Sequence, residues 1–114
     1  MYNILKKFEH IIKEIEVIRY ESEENQIRIH IKLELKDRSI LVVRDYKFST
    51  NKRKYSYHWM DQHGNLKVRW DNTTHWKTVS TFPYHKHINK QQNVVESTET
   101  EIESVLEYIH NCID

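Results

Sequence analysis

Residues able to carry acid–base chemistry are concentrated in one segment, from Tyr55 to His87. This segment contains all three tryptophans, the only glycine, the only proline and five of the eight histidines. Histidine is the side chain whose ordinary pKa lies nearest neutrality, so it can both accept and donate protons there. An active site, if the protein has one, is therefore expected within this segment.

A hairpin inside the segment brings three polar side chains together. Residues alternate with period two on both sides of Gln62–Asn65, which predicts two antiparallel strands joined by a turn. With a two- or four-residue loop centred on His63-Gly64, His58 faces Arg69, whereas a three-residue loop would mix polar and apolar faces. One side of the hairpin then carries His58, Arg69 and Asp71, and the other carries Tyr57, Trp59, Val68 and Trp70.

This polar side suits phosphodiester cleavage. Neutral His58 can accept the proton of a ribose 2′-hydroxyl, and Arg69 can stabilise charge on the phosphate oxygens. Asp71 is a candidate to orient one imidazole. A second histidine, protonated, would supply a proton to the leaving 5′-oxygen. The structural alternative is that His58, Arg69 and Asp71 form an ordinary cross-strand polar ladder. The candidates for the second histidine are His75, His85 and His87.

Charge and aromatic residues favour a polyanionic partner. From Lys36 to Lys90 the chain carries twelve Lys and Arg against four Asp, while Gln91 to Asp114 holds six acids and no Lys or Arg. Phosphates bind Lys and Arg, and aromatic rings stack on bases, although a solvated strand face would also carry cations. The candidate nucleic-acid contacts are Lys67, Trp76, Tyr84 and Lys86.

The histidine pair His85 and His87 also permits a metal site. Residues two apart in an extended segment point the same way, so both imidazoles could reach one ion, with His58, His75 or Asp71 completing the ligands. Short H-x-H pairs are frequent, however, and no C-x-x-C or H-E-x-x-H spacing accompanies this one. The preferred interpretation is a site that works without a metal or other cofactor.

Periodicity predicts the elements that position these residues. Apolar residues at helical spacing predict a helix over residues 3–14, and a capping-box match at Thr98–Glu101 begins a second helix. Period-two alternation predicts strands at 27–35, 39–48, 55–60 and 66–71, with 16–21 also compatible and 71–88 irregular. The predicted fold is α+β, a single domain of residues 1–114 with an antiparallel meander of four to six strands and N-terminal and C-terminal helices on one side.

Composition argues against several functional classes. No apolar run approaches the length of a membrane span, and Tyr2 to Glu16 mixes charges unlike a signal peptide. A single cysteine, Cys112, forms no intramolecular disulfide and fits a reducing compartment. One glycine cannot build a phosphate-binding glycine-rich loop, and there is no G-x-S-x-G elbow. We therefore expect a cytoplasmic protein with no membrane partner.

The segment YSYHWMDQHGNLKVRWDN (Tyr55 to Asn72), followed by His75 and by FPYHKH (Phe82 to His87), resembles the TumE-like family of small prokaryotic proteins. The strands before it and the helix after it follow a similar order. Members of that family are described as presumed toxins of toxin–antitoxin pairs. The resemblance implies a toxin role and a cognate antitoxin protein, and it assigns no catalytic residues.

Together these features favour a cytoplasmic toxin that cleaves RNA without a metal. Three alternatives stay open at this point. The protein could be a non-enzymatic nucleic-acid-binding module, a metal-dependent nuclease or nucleotidyl-modifying enzyme that uses the histidine cluster, or an interaction partner in which the cluster is structural. The identity of the RNA, dependence on the ribosome and the oligomeric state are not predicted.

Overall fold

The computed structural model describes residues 1–113, and its main feature is a seven-stranded antiparallel sheet in which sequence neighbours pair throughout. The meander and the terminal helices confirm the predicted α+β class, although the strand count is seven rather than four to six. Asp114, the last residue of the predicted domain, lies outside the described residues. The strands are β1 (Ile12–Glu23), β2 (Gln26–Leu35), β3 (Ile40–Lys47), β4 (Arg53–Met60), β5 (Leu66–Asp71), β6 (His85–Ile88) and β7 (Val94–Glu96), and the helices are α1 (Tyr2–Lys7) and α2 (Ile102–Cys112).

The predicted helix over residues 3–14 is too long. It ends at Lys7, and β1 begins at Ile12. Ile15 and Val17 lie opposite Leu33 and Ile31 of β2, so the apolar residues at helical spacing also fit one face of a strand. Pairing with β2 satisfies the backbone hydrogen-bonding groups on one edge of β1, and that tertiary contact outweighs the helical period.

The core lies on one side of the sheet. Alternate residues of β2 to β5 point to this side, and both helices pack on it. Trp59 and Trp70, which the hairpin pattern places on the same side, are at most 2% exposed and belong to this core. Burial of each large apolar side chain contributes about 1.5–3 kcal/mol, so these rings are major sources of stability. The helices contribute Leu5, Ile102, Val105, Leu106 and Ile109 to the same core, and Phe8, which directly follows α1, joins them.

Helix α2 is fixed to the sheet by Glu99, which precedes its first turn. Glu99 accepts hydrogen bonds from Trp70 Nε1 at 3.0 Å and from Lys86 Nζ at 2.7 Å. Burial alone would raise the pKa of Glu99, but the hydrogen bonds from Lys86 and Trp70 hold it below the ordinary value. The predicted capping box at Thr98–Glu101 is wrong: Glu101 is the N-cap, and its backbone N–H donates to Ser104 Oγ at 3.2 Å.

The segment predicted as irregular, 71–88, ends in a strand. β6 pairs with β5 on one side and β7 on the other, and residues 72–84 between β5 and β6 contain no helix or strand. The peptide between Phe82 and Pro83 in this connection is cis. Neither helix in residues 1–113 has the length and apolar character that a bilayer span requires.

Candidate active site on the open face of the sheet

The face of the sheet opposite the helices carries the polar side chains predicted from the hairpin. His58 lies opposite Arg69, and Ser56 lies opposite Asp71, as predicted. The turn itself differs from the expected even loop: it spans residues 61–65, with Gly64 at a φ of +86°, and a bulge next to Trp59 restores the register. We refer to this side, on β2 to β6, as the open face.

Strand β6 extends the polar row across the sheet. His87 lies opposite Arg69, and His85 lies opposite Asp71. Both imidazoles therefore point to the same side, as their spacing predicts for an extended segment. The structure brings together five of the six predicted catalytic residues on three adjacent strands, namely His58, Arg69, Asp71, His85 and His87.

His58 has the properties of a general base. Burial first, and then the positive charges of Arg69 and Arg44, hold the pKa of His58 below the ordinary value of 6.5. The imidazole is thus neutral at pH 7 and able to accept a proton. Within residues 1–113 no hydrogen bond engages its ring nitrogens. The side chain is half-buried, so a substrate on the open face can reach it.

Arg69 is fixed beside His58 through Asp71. Arg69 Nε donates to Asp71 Oδ2 at 3.3 Å, and the Arg69 side chain is 34% exposed. Asp71 Oδ1 also accepts hydrogen bonds from Thr73, at 3.1 Å from its backbone N and 3.0 Å from Oγ1. Burial would raise the pKa of Asp71, but the hydrogen bonds from Thr73 and the positive charge of Arg69 hold it below the ordinary value. An ionised Asp71 therefore positions the guanidinium.

His85 and His87 are almost completely inaccessible to solvent. Each imidazole is 1% exposed. Nδ1 of His85 lies 2.9 Å from the carbonyl oxygen of Pro83, and Nδ1 of His87 lies 2.7 Å from that of Gln91. The opposite ring nitrogens approach Asp71, at 2.9 Å for His85 Nε2 and 3.5 Å for His87 Nε2. Neither ring is available to a substrate on the surface in this arrangement.

The connection 72–84 covers these two histidines. The indole of Trp76 packs edge-on against His85 and His87, with ring centroids 6.4 and 5.9 Å apart. His75, the neighbouring residue, is exposed. The ring of Trp76, a predicted base-stacking residue, is instead half-buried against the imidazoles. Of the histidines in the predicted catalytic set, His75 is the most open to solvent.

The other predicted nucleic-acid contacts lie apart from His58. Lys86 points to the helix side, where Nζ binds Glu99 and lies 4.7 Å from the Tyr108 ring centroid. Lys67 Nζ lies 4.3 Å from the ring centroid of Trp59, a core residue of that side. Tyr84 is 41% exposed and stacks on Tyr55. The structure does not bring Lys67, Tyr84 and Lys86 together with the open-face residues.

Strands β2 and β3 supply charged residues that the sequence reasoning did not assign to the site. The alternation of charged and apolar residues in these strands was visible in the sequence, but the pairing that places them beside His58 was not. β1 adds Glu14, Glu16, Glu21 and Glu23, together with Arg19, at the far edge, so the positive charge is centred on β3 to β5. The open-face cations of β2 to β5 are Arg28, Lys32, Arg44, Lys54 and Arg69, against the carboxylates Glu34 and Asp71.

Comparison with models of protein families gives a match over almost the whole chain. A family model described as Toxin TumE matches residues 1–113. No curated protein and no solved structure matches the chain.

Proposed function

We propose that this chain, which belongs to the TumE toxin family, is a ribonuclease whose active site is the open face around His58 and Arg69. The observation that carries the proposal is the cross-strand pair itself: a neutral, half-buried imidazole directly opposite a partly exposed guanidinium. A base and a cation at this spacing match the two needs of transesterification at phosphorus, which are proton removal and stabilisation of charge on the phosphate oxygens.

The reaction proceeds by attack of the ribose 2′-oxygen on the adjacent phosphorus. His58 removes the 2′-hydroxyl proton as the new P–O bond forms, and Arg69 stabilises the negative charge on the phosphate oxygens. The bond between phosphorus and the 5′-oxygen breaks. The products are a 2′,3′-cyclic phosphate and a 5′-hydroxyl, and the chemistry needs no metal ion.

The leaving 5′-oxygen takes a proton from His75. Of the three histidines that the sequence offers for this role, His75 alone is exposed, whereas His85 and His87 are buried. His75 directly precedes Trp76, whose ring lies against His85 and His87, and this neighbourhood in the chain supports His75 as the acid. His75 enters the reaction as imidazolium and leaves it neutral, while His58 does the reverse.

The open face also supplies the RNA contacts. The exposed cations Lys32, Arg44 and Lys54 flank His58 on β2, β3 and β4 and can bind phosphates on either side of the scissile bond. The toxin family implies a cognate antitoxin protein as the second partner, and such a partner would inhibit cleavage by covering these cations.

The proposal is tested by incubating purified protein with RNA in EDTA and mapping the product ends. His58→Ala should lower the cleavage rate by at least about 100-fold, the usual contribution of a general base. His30→Ala is the matched control, because His30 is half-buried on the same face beside Arg44 and its pKa is likewise lowered, by burial and then by Arg44 and Arg19. It should retain activity.

Three results would count against this assignment. Undiminished cleavage by His58→Ala would remove the proposed base. Products with 3′-hydroxyl ends would exclude attack by the 2′-oxygen. Salt-sensitive RNA binding without any product would indicate a binding module instead.

A further inference from the structure

The buried pair His85 and His87 presents an unusual hydrogen-bonding arrangement. Nδ1 of each ring faces a backbone carbonyl oxygen, at 2.9 Å from Pro83 and 2.7 Å from Gln91. A carbonyl oxygen only accepts hydrogen bonds, so Nδ1 must carry the proton in both rings. In a neutral imidazole the other nitrogen, Nε2, then has a lone pair and no proton.

These two lone pairs converge on the Asp71 carboxylate, which also only accepts. The ligand atoms of Asp71, His85 and His87 all lie within 4.8 Å of one another, and all three residues are buried. His85 Nε2 approaches Asp71 Oδ1 to 2.9 Å, yet its alignment is not that of a hydrogen bond, and this buried nitrogen has no hydrogen-bond partner within residues 1–113. Three electron-pair donors facing one another require a positive charge between them.

We propose that Asp71, His85 and His87 bind one divalent transition-metal ion whose role is structural. Two imidazole nitrogens and one carboxylate suit zinc and its first-row neighbours, whereas magnesium and calcium prefer sets made of oxygen. Hydrogen bonding of each Nδ1 to a carbonyl oxygen is the outer contact that orients metal-binding histidines and fixes their tautomer. The site does not depend on the ribonuclease proposal.

A structural role follows from where the ligands lie. Asp71 ends β5, and His85 begins β6, so the ion closes the connection 72–84 at its base. Trp76, in this connection, packs on both imidazoles and separates them from the solvent. A phosphate on the open face cannot reach the ligand atoms while this cover is in place. The ion therefore holds the connection, and with it His75, against the sheet.

The test uses the full chain, stripped of metal with a chelator, and Co²⁺ as a spectroscopic probe. Titration should give saturable visible absorption at one equivalent per chain, and Zn²⁺ should displace the signal and raise the melting temperature. His87→Gln should weaken Co²⁺ binding by more than about 100-fold, since loss of an outer contact alone costs about 10–100-fold. His75→Gln, a change of the same type at an exposed position of the connection, should bind as the wild type does.

If His87→Gln does not fold, NMR of the wild-type chain gives the same information. Zn²⁺ should then shift the Nε2 resonances of His85 and His87 and leave both Nδ1 protons in place. Absence of a saturable Co²⁺ signal together with an unchanged melting temperature in excess Zn²⁺ would overturn the site and favour an imidazolium ion paired with Asp71. Equal susceptibility of the connection 72–84 to proteolysis in the metal-free and the Zn²⁺-loaded protein would overturn the structural role.

Discussion

Replacement of Asp71 by alanine is expected to destabilise the fold by about 3 kcal/mol when measured in EDTA. The carboxylate is 3% exposed. Its Oδ1 accepts two hydrogen bonds from Thr73, at 3.1 and 3.0 Å, and its Oδ2 accepts one from Arg69 at 3.3 Å. Hydrogen bonds to a charged group each contribute about 1.5–3 kcal/mol, but Thr73 and Arg69 are only half-buried, so water recovers part of that energy.

The variant Asp71→Asn separates the hydrogen bonds from the charge. Its amide oxygen can still accept from Thr73, so the predicted cost falls to about 1–2 kcal/mol, which is the loss of the negative charge beside Arg69. Guanidinium denaturation followed by tryptophan fluorescence measures both values. In thermal melts, the alanine variant should lose on the order of 10 °C, at about 4 °C or more per kcal/mol for a domain near this size.

Asp61→Ala provides the matched control. Asp61 also accepts backbone hydrogen bonds from residues just after it, His63 at 2.8 Å and Asn65 at 2.9 Å, but it does so in an exposed turn. Its replacement should cost about 1 kcal/mol. A cost for Asp71→Ala no larger than that for Asp61→Ala would refute the view that the buried carboxylate organises this part of the sheet.

Three further predictions concern the pH profile, RNA binding and the anchoring of α2. The value of kcat/KM should decline on the acid side with an apparent pKa below 6.5. The base must be neutral, and burial, followed by Arg69 and Arg44, lowers the pKa of His58. An apparent pKa at or above 6.5 for this decline would contradict the prediction. The same lowered pKa means that the unfolded chain binds more protons, so the contribution of His58 to stability should decrease as pH falls below 6.5, which pH-dependent denaturation of wild type and His58→Ala can measure. Arg44→Gln should weaken RNA binding uniformly across sequences and reduce its salt dependence by about one counterion. Lys47→Gln, on the helix side, should change neither quantity. Equal effects of the two substitutions would argue against the open face as the RNA surface. Trp70→Phe removes the hydrogen-bond donor to Glu99 and part of a fully buried ring. It should lower the free energy of unfolding, measured by chemical denaturation, by about 1–3 kcal/mol. Unchanged stability would contradict this prediction.

The hairpin could be predicted because its information is local. Strict alternation on both sides of the only glycine specified which residues share a face, and His58 does lie opposite Arg69. The length of the turn could not be predicted from this alternation. A bulge next to Trp59 restores the register that an odd loop would otherwise shift, and a bulge has no clear signal in a single sequence.

The remaining differences arise from long-range pairing. The apolar residues from Ile11 to Ile15 fit both a helix and a strand, and only the contact of β1 with β2 decides between them. β6 has four residues, too few for a period to show, and its histidines meet Asp71 and Arg69 only because β6 pairs with β5. Burial of His85 and His87 further depends on Trp76, which lies in a connection with no regular pattern.

We infer that the toxin acts by cleaving RNA with His58 as the general base. The most direct test of this inference is inducible expression of the wild type, His58→Ala and His30→Ala in bacterial cells without the antitoxin, with growth and RNA integrity followed in the same cultures. We expect growth arrest with fragmented RNA carrying 2′,3′-cyclic phosphate ends for the wild type and His30→Ala. We expect normal growth with intact RNA for His58→Ala at equal protein levels. Growth arrest by His58→Ala, or arrest by the wild type while RNA stays intact, would contradict the inference.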